Sequence, residues 1–251
     1  MFEGSSKFNE KYKLTRLTKI FQHCLLIKIT AAISLVTCLL ISGCGGGGDE
    51  TSNHAATCNI ELNADSICAA TGVAKRCSQL INDANPNWLI EDRANAGETF
   101  FDMYFGCNTI WANGPVCPSY LTKAFIQSPH PSSIVIIELG WNDAYGNFST
   151  QAYEVQLRST VAFLQEHGKT VVLTGLVNAP ADGPFKDPAI IARGAILNSI
   201  QGKVASDTGA LFADWMTVSP YISLPGDIHP NTETLNLLIQ RLTSTIQPHC
   251  T

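Results

Sequence analysis

The stretch Cys58-Asn59-Ile60-Glu61-Leu62-Asn63-Ala64-Asp65-Ser66 reads as a short buried strand. It breaks at Asn63-Ala64-Asp65-Ser66 into a polar turn, followed by small residues and a helical pattern. A serine so placed sits at the carboxyl end of a parallel strand, the edge at which open α/β sheets bind ligands. Its hydroxyl is a candidate nucleophile. Taken alone, the stretch reads first as a helix cap made by Asp65 and Ser66, so the case for chemistry has to come from the rest of the chain.

Working outward from it, short apolar strands alternate with helical stretches five times. Strands are expected near 58–63, 88–94, 133–139, 170–176 and 209–213, and helices near 73–84, 119–127, 151–167, 187–206 and 232–247. Such alternation implies an α/β fold, a three-layer α/β/α sandwich around a five-stranded parallel sheet of flavodoxin-like kind. Ile134-Val135-Ile136-Ile137 and Val171-Val172-Leu173 are continuous apolar runs, as expected of central strands buried on both faces. With 251 residues, 45% of them hydrophobic, the chain suffices for one well-buried domain, expected over 57–251 and as a monomer.

The N-terminal part has a different character. Lys7, Lys11, Lys13, Arg16, Lys19 and Lys28 precede an apolar run from Ala31 to Ile41, too short for a comfortable membrane span and laid out like a secretory signal over 1–43. The run ends in Leu40-Ile41-Ser42-Gly43-Cys44, which resembles the bacterial lipobox, and Gly45 to Gly48 with Asp49-Glu50 then read as a flexible tether over 44–56. That resemblance implies acyl chains such as palmitate on Cys44 and a domain anchored in the cell envelope. Gly45 after the cysteine resembles the sorting pattern of Gram-negative outer-membrane lipoproteins. Without residues 1–43 the chain keeps ten basic against nineteen acidic residues, a net charge of about minus nine, which argues against nucleic-acid partners and favours a neutral substrate.

Nine cysteines are present, and six remain once Cys24, Cys38 and Cys44 are set aside. An even number in an exported chain suggests disulfides, and no Cys-x-x-Cys spacing points to a metal or redox site, so no metal or other cofactor is expected. Among the fifteen possible connectivities, Cys58 with Cys250, Cys107 with Cys117 and Cys68 with Cys77 is the expected set. The first would tie the opening strand to the closing helix.

Several strands end in residues that can do chemistry. Asn95-Ala96-Gly97 follows the second strand, where Gly97 could bring a backbone N–H to a ligand; alone it is a turn glycine. Gly140-Trp141-Asn142-Asp143 follows the third, where the Asn142 amide could face a developing oxyanion; Asn-Asp is also an ordinary turn or cap. Of the histidines, only His229, in Asp227-Ile228-His229-Pro230, lies after the last strand and before the last helix, and so can reach the edge where Ser66 sits. Its ordinary titration range suits it to take the serine proton, with a carboxylate beside it to fix its tautomer. His130 and His167 precede strands and belong at the amino edge or outer surface.

These four blocks, in this order and at these strand ends, resemble the SGNH hydrolases, the GDSL-type lipase/acylhydrolase family, over residues 57–247. The resemblance implies a serine ester hydrolase in which Ser66 is nucleophile and His229 general base, with an oxyanion hole made by the Ser66 N–H, the Gly97 N–H and the Asn142 amide. Two residues depart from the family's pattern. Ala64 stands where glycine is usual before Asp-Ser. The family's acid lies three residues before the histidine, a position taken here by Gly226, which leaves Asp227 as the candidate carboxylate and a Ser–His dyad as the other possibility. Two further readings are a carbohydrate O-deacetylase acting on envelope polysaccharide, with Trp111, Trp141 and Tyr145 stacking on sugar, and a non-catalytic lipoprotein that keeps the fold.

Overall fold

Asn59–Ala64 (β1), Leu89–Asp92 (β2), Ile134–Glu138 (β3), Thr170–Leu173 (β4) and Leu211–Phe212 (β5) form one sheet in the order β2-β1-β3-β4-β5. Every pair is parallel, with Ile60 opposite Ile90 and Ile134, and Ile136 opposite Val172. They belong to a computed structural model that describes residues 57–69, 72–106, 124–178 and 186–250. This is the doubly wound order, in which the chain steps outward on one side of β1 and then on the other. All five residues of β3 are buried, as are the last five of β1, because helices cover both faces of the central strands.

The helices are Cys77–Ala84 (α1), Phe100–Phe105 (α2), Trp141–Tyr145 (α3), Thr150–Glu166 (α4), Pro188–Thr208 (α5) and Thr232–Ile246 (α6). α1 packs on α6, whereas α4 packs on α5, and these two groups make the outer layers of a three-layer sandwich. Local chemistry sets the helix ends. Ser149 Oγ accepts from Ala152 N at the start of α4, and Asp187 Oδ1 accepts from Ala189 N at the start of α5, whose first residue is Pro188. Asn231 Oδ1 accepts from Thr234 N at 2.8 Å and starts α6. α6 then buries Leu235, Leu238, Ile239, Leu242 and Ile246, the spacing of a single helical face.

The expected elements are found with shifted ends, and two short helices at the carboxyl edge, α2 and α3, are additional. Part of the helix expected over 119–127 is a 3₁₀ turn at Phe125–Gln127, and its beginning lies outside the described residues. Two disulfides join the expected partners: Cys58 with Cys250, Cα atoms 4.9 Å apart, and Cys68 with Cys77, 4.8 Å apart. The third expected pair, Cys107 and Cys117, lies outside the described residues, as do residues 1–56 with Cys44, and Trp111.

A carboxylate sits inside the sheet. Glu61, in the middle of β1, is fully buried and meets Arg93 Nη1 and His130 Nδ1, each at 3.0 Å, while Asn63 Nδ2 donates to it at 2.9 Å. Partners of this kind keep a buried charge from costing several kcal/mol, on the order of 3–5 when one partner is removed. Of the two places expected for a histidine before β3, the amino edge of the sheet or its outer surface, the second is excluded for His130, which is turned inward with its side chain only 5% exposed.

Candidate active site

β1 runs out at Ala64, and the next residue folds the chain back on itself. Asp65 Oδ1 accepts from Ile67 N at 2.9 Å, and its carbonyl accepts from Cys68 N and Ala69 N at 3.2 and 3.1 Å. This turn places Ser66, which keeps some solvent exposure, at the carboxyl edge between β2 and β3. Asp65 N donates to the Glu138 carbonyl and to Glu138 Oε2, at 3.2 and 3.3 Å, and so anchors the turn to the end of β3.

The chain after β2 runs alongside. Asn95 N donates to Ala64 O at 2.9 Å, and a turn closed by Glu98 N on Asn95 O puts Gly97 at φ +81°, where an L side chain is strained. Among the described residues neither the Ser66 N–H nor the Gly97 N–H has an acceptor.

Asn142, in α3, links the two turns. Its Nδ2 donates to Glu98 O at 2.9 Å and to Asp65 Oδ2 at 3.3 Å. The neighbouring Asp143 accepts from Phe100 N at 2.9 Å, which ties the start of α2 to α3. Thus the chain just after the glycine turn is held at Glu98 and Phe100 by the Asn142-Asp143 pair, and the Asn142 amide also reaches the Ser66 turn at Asp65.

His229 is carried on a narrow loop between β5 and α6. Ser223 bridges Pro230, Leu224 N donates to His229 O at 2.8 Å, and Asp227 N donates to Leu224 O at 3.1 Å. With Gly226 in the left-handed region, Asp227 swings back under the imidazole, its Oδ1 lying 2.7 Å from His229 Nδ1. The same oxygen accepts from Ile228 N at 2.7 Å. His229 Nε2 is buried and has no partner among the described residues. A two-residue spacing therefore suffices for the carboxylate to reach Nδ1, because the segment from Asp227 to His229 is bent instead of running extended.

Burial dominates the electrostatics beneath this edge. It pushes the Asp65 carboxyl up to about 6, against the Ile67 N–H and the nearby His229, which hold it down. Burial, together with the charge of Asp65, places Glu138 well above the carboxylate range. Glu98 is raised well above it by burial and by Asp102, Asp65 and Asp143, and burial takes Asp143 to about 7. Glu98 Oε2 and Asp143 Oδ1 are buried without a partner among the described residues. For Asp227 burial acts upward, but the hydrogen bonds from His229 and the Ile228 N–H outweigh it, and the carboxyl titrates below its ordinary range.

The structure thus brings Ser66, Gly97, Asn142, Asp227 and His229 to one sheet edge. Trp141 is not available there for stacking on a sugar. It is buried, its Nε1 donates to Val177 O at 3.1 Å, and its ring fills the space over Gly194, where an added Cβ would come within 2.4 Å of it. Tyr145, 52% exposed, is the remaining aromatic of that set within the described residues. Sequence reasoning passed over Glu98 and Glu138, the acids buried under the site; in the sequence each stands at the end of an apolar or turn segment, as a solvated residue would.

A doubly wound sheet with a serine, an amide and a carboxylate-held histidine at one carboxyl edge is laid out as in hydrolases that work by acyl transfer. Residues 65–234 match the GDSL-like Lipase/Acylhydrolase family, and the chain belongs to that family of carboxylic ester hydrolases. Among curated proteins no relative matches by sequence. Similar folds occur in a lipase/acylhydrolase from Enterococcus faecalis, 18% identical, covering 77% of this chain and 97% of that one, TM-score 0.60. They occur also in Axe2, an acetylxylan esterase from Geobacillus stearothermophilus, 16% identical over 75% of this chain and 94% of that one, TM-score 0.55. TesA, 17% identical over 76% and 98% of the two chains, has a TM-score of 0.52.

Proposed function

We propose that the protein hydrolyses acyl esters through Ser66, with His229 as general base, Asp227 as the carboxylate that orients it, and an oxyanion hole made by the Ser66 N–H, the Gly97 N–H and the Asn142 Nδ2. The observation that carries this reading is the state of His229. Its Nδ1 is occupied by Asp227 at 2.7 Å while its Nε2 is buried and has no partner among the described residues, so the imidazole is held in the tautomer that accepts a proton at Nε2. Ser66 Oγ attacks the ester carbonyl and gives its proton to Nε2. The carbonyl oxygen takes the negative charge and is met by the Ser66 and Gly97 N–H groups and by the Asn142 Nδ2–H that leaves its 3.3 Å bond to Asp65 Oδ2. Nε2–H then protonates the leaving alcohol, and water, deprotonated in turn by His229, releases the acid from Ser66.

The close approach of Asp227 speaks against the dyad, and it removes one support of the non-catalytic reading, that of Gly226 standing at the family's acid position. An acetylated glycan is the second substrate reading. Axe2, of similar fold, is an acetylxylan esterase, but the burial of Trp141 removes one of the aromatics that a sugar would have used. We further propose that Cys44 is the lipidated first residue of the exported protein, that residues 44–56 tether the domain, and that the enzyme works as a monomer at the periplasmic face or outer membrane of a Gram-negative cell envelope. Support for this comes from the charged segment, the apolar run and Ile41-Ser42-Gly43-Cys44.

A fluorophosphonate probe tests the catalytic assignment. Covalent labelling of the wild-type protein at Ser66, lost in Ser66→Ala and His229→Ala, is expected. Labelling that persists in Ser66→Ala would overturn it. A panel of p-nitrophenyl acyl esters of increasing chain length beside acetylated xylan then separates the substrate readings.

A further inference from the structure

Cys68 stands two residues after Ser66, and its carbonyl accepts from Cys77 N at 3.1 Å, beside the disulfide that joins the two residues. Both cysteines are completely buried, and Cys77 is the first residue of α1. The turn that carries Ser66 is thereby bonded at one end to Asp65 and at the other to a helix. Within the loop so closed, Gly72 has φ +74° and lies hard against Leu224, whose Cδ1 comes within 2.4 Å of the place a Cβ would take. Leu224 in turn donates its N–H to His229 O at 2.8 Å. A path through described residues therefore runs from Ser66 to Cys68, across the disulfide to Cys77 and back along residues 76 to 72, then over a side-chain contact from Gly72 to Leu224, and by one hydrogen bond to His229.

We infer that the segment 72–77, held to Cys68 by the disulfide, is a positioning unit that sets the serine turn and the histidine loop against each other. This rests on the assignment of Ser66 and His229 proposed above. A cross-link over 9 residues constrains the unfolded chain less than one over 192 residues, so of the two disulfides this one contributes less through chain entropy. Its placement instead serves geometry. Ser66 and His229 come from opposite ends of the described chain, and proton transfer between them depends on the distance between Oγ and Nε2.

The test compares the wild type with Cys68→Ala/Cys77→Ala, Gly72→Ala, Leu224→Ala, the last two combined, and Cys58→Ala/Cys250→Ala as control. Each is assayed well below its own melting temperature for kcat, for KM with p-nitrophenyl acetate, and for the rate of fluorophosphonate labelling. A misplacement of about 1 Å is expected to lower kcat and labelling about 10–10²-fold in the first three variants while KM changes little. Gly72→Ala keeps the disulfide and reports even where the double cysteine variant does not fold. Because Gly72→Ala pushes a Cβ into Leu224 Cδ1 and Leu224→Ala takes that atom away, the two act on one contact, and their combination is expected to be no worse than the worse of the two. The Cys58/Cys250 control is expected to melt lower with kcat unchanged. Folded Cys68→Ala/Cys77→Ala and Gly72→Ala proteins that react at the wild-type rate would overturn the positioning role alone, and so would losses that add. A wild-type protein that the probe does not label overturns the catalytic assignment with it.

Discussion

Replacing Asp227 by Asn isolates one part of what a carboxylate does for a histidine. In this protein the Ile228 N–H and His229 Nδ1 both address the same oxygen, Oδ1, at 2.7 Å each. An asparagine that turns its carbonyl to that position still accepts both bonds, so the imidazole keeps its orientation and its tautomer. What is lost is the attraction of the carboxylate for the imidazolium formed during catalysis. For charges about 4 Å apart that attraction is ~1 kcal/mol in water and ~4 kcal/mol at an effective dielectric of 20. With its side chain 35% exposed, Asp227 lies toward the wetter end. A loss of about 2 kcal/mol, or ~30-fold in kcat, is expected for Asp227→Asn. Asp227→Ala also removes the acceptor that fixes the tautomer, and is expected to cost ~10³–10⁴-fold. Steady-state kcat on p-nitrophenyl acetate, with both variants checked for folding by circular dichroism, separates the two. Equal losses in Asn and Ala would refute the argument from Oδ1, and an Ala variant within about tenfold of wild type would leave a Ser–His dyad.

The buried acids make stability depend on pH in an unusual direction. Asp65 at about 6 and Asp143 at about 7, with Glu98 and Glu138 also raised, keep their protons in the folded state where the unfolded chain has released them. Stability is therefore expected to fall as pH rises from the ordinary carboxylate range, about 4, toward 7, seen as a declining melting temperature; a rise across that window would contradict the cluster. Removing the Cys58–Cys250 bridge is expected to cost about 2–5 kcal/mol in denaturant unfolding with kcat unchanged. Replacing Cys44 by Ala is expected to abolish lipid labelling and N-terminal processing, and a cleaved, membrane-retained variant would count against the anchor.

The sheet was legible because its central strands are continuous apolar runs. Ile134 to Ile137 and Val171 to Leu173 have no polar face and must be covered on both sides. The edge strand β5, two residues long, was legible only from its place in the alternation. Neither short helix announced itself. α2, Phe-Phe-Asp-Met-Tyr-Phe, is almost uniformly apolar and shows no face, and α3 is barely more than one turn. The Ser66, Asn142 and His229 positions could be placed by topology, since strand ends converge on one edge. The reach of Asp227 could not, because an extended segment and one bent between Asp227 and His229 present that carboxylate differently. Nor could the acid layer under the site: a glutamate at a strand end, such as Glu138, reads as a residue entering solvent, and only the turn at Asp65 folding over it shows otherwise. Trp141 illustrates the reverse, its apparent freedom beside the cleft removed by a gap at Gly194 that lies far away in sequence.

In mechanical terms, the Cys58–Cys250 bridge decides how the domain bears a load. A pull on the chain from upstream arrives at Cys58, immediately before β1, at the edge of the sheet opposite Ser66. Without the bridge, β1 alone would take that force, and β1 is the strand whose far end carries Asp65 and Ser66. With it, the force divides covalently between β1 and the C-terminal segment that follows α6, which is packed along its length on the core. A domain held by its N-terminal end can thus be tugged without the strain running straight down the strand that presents the serine.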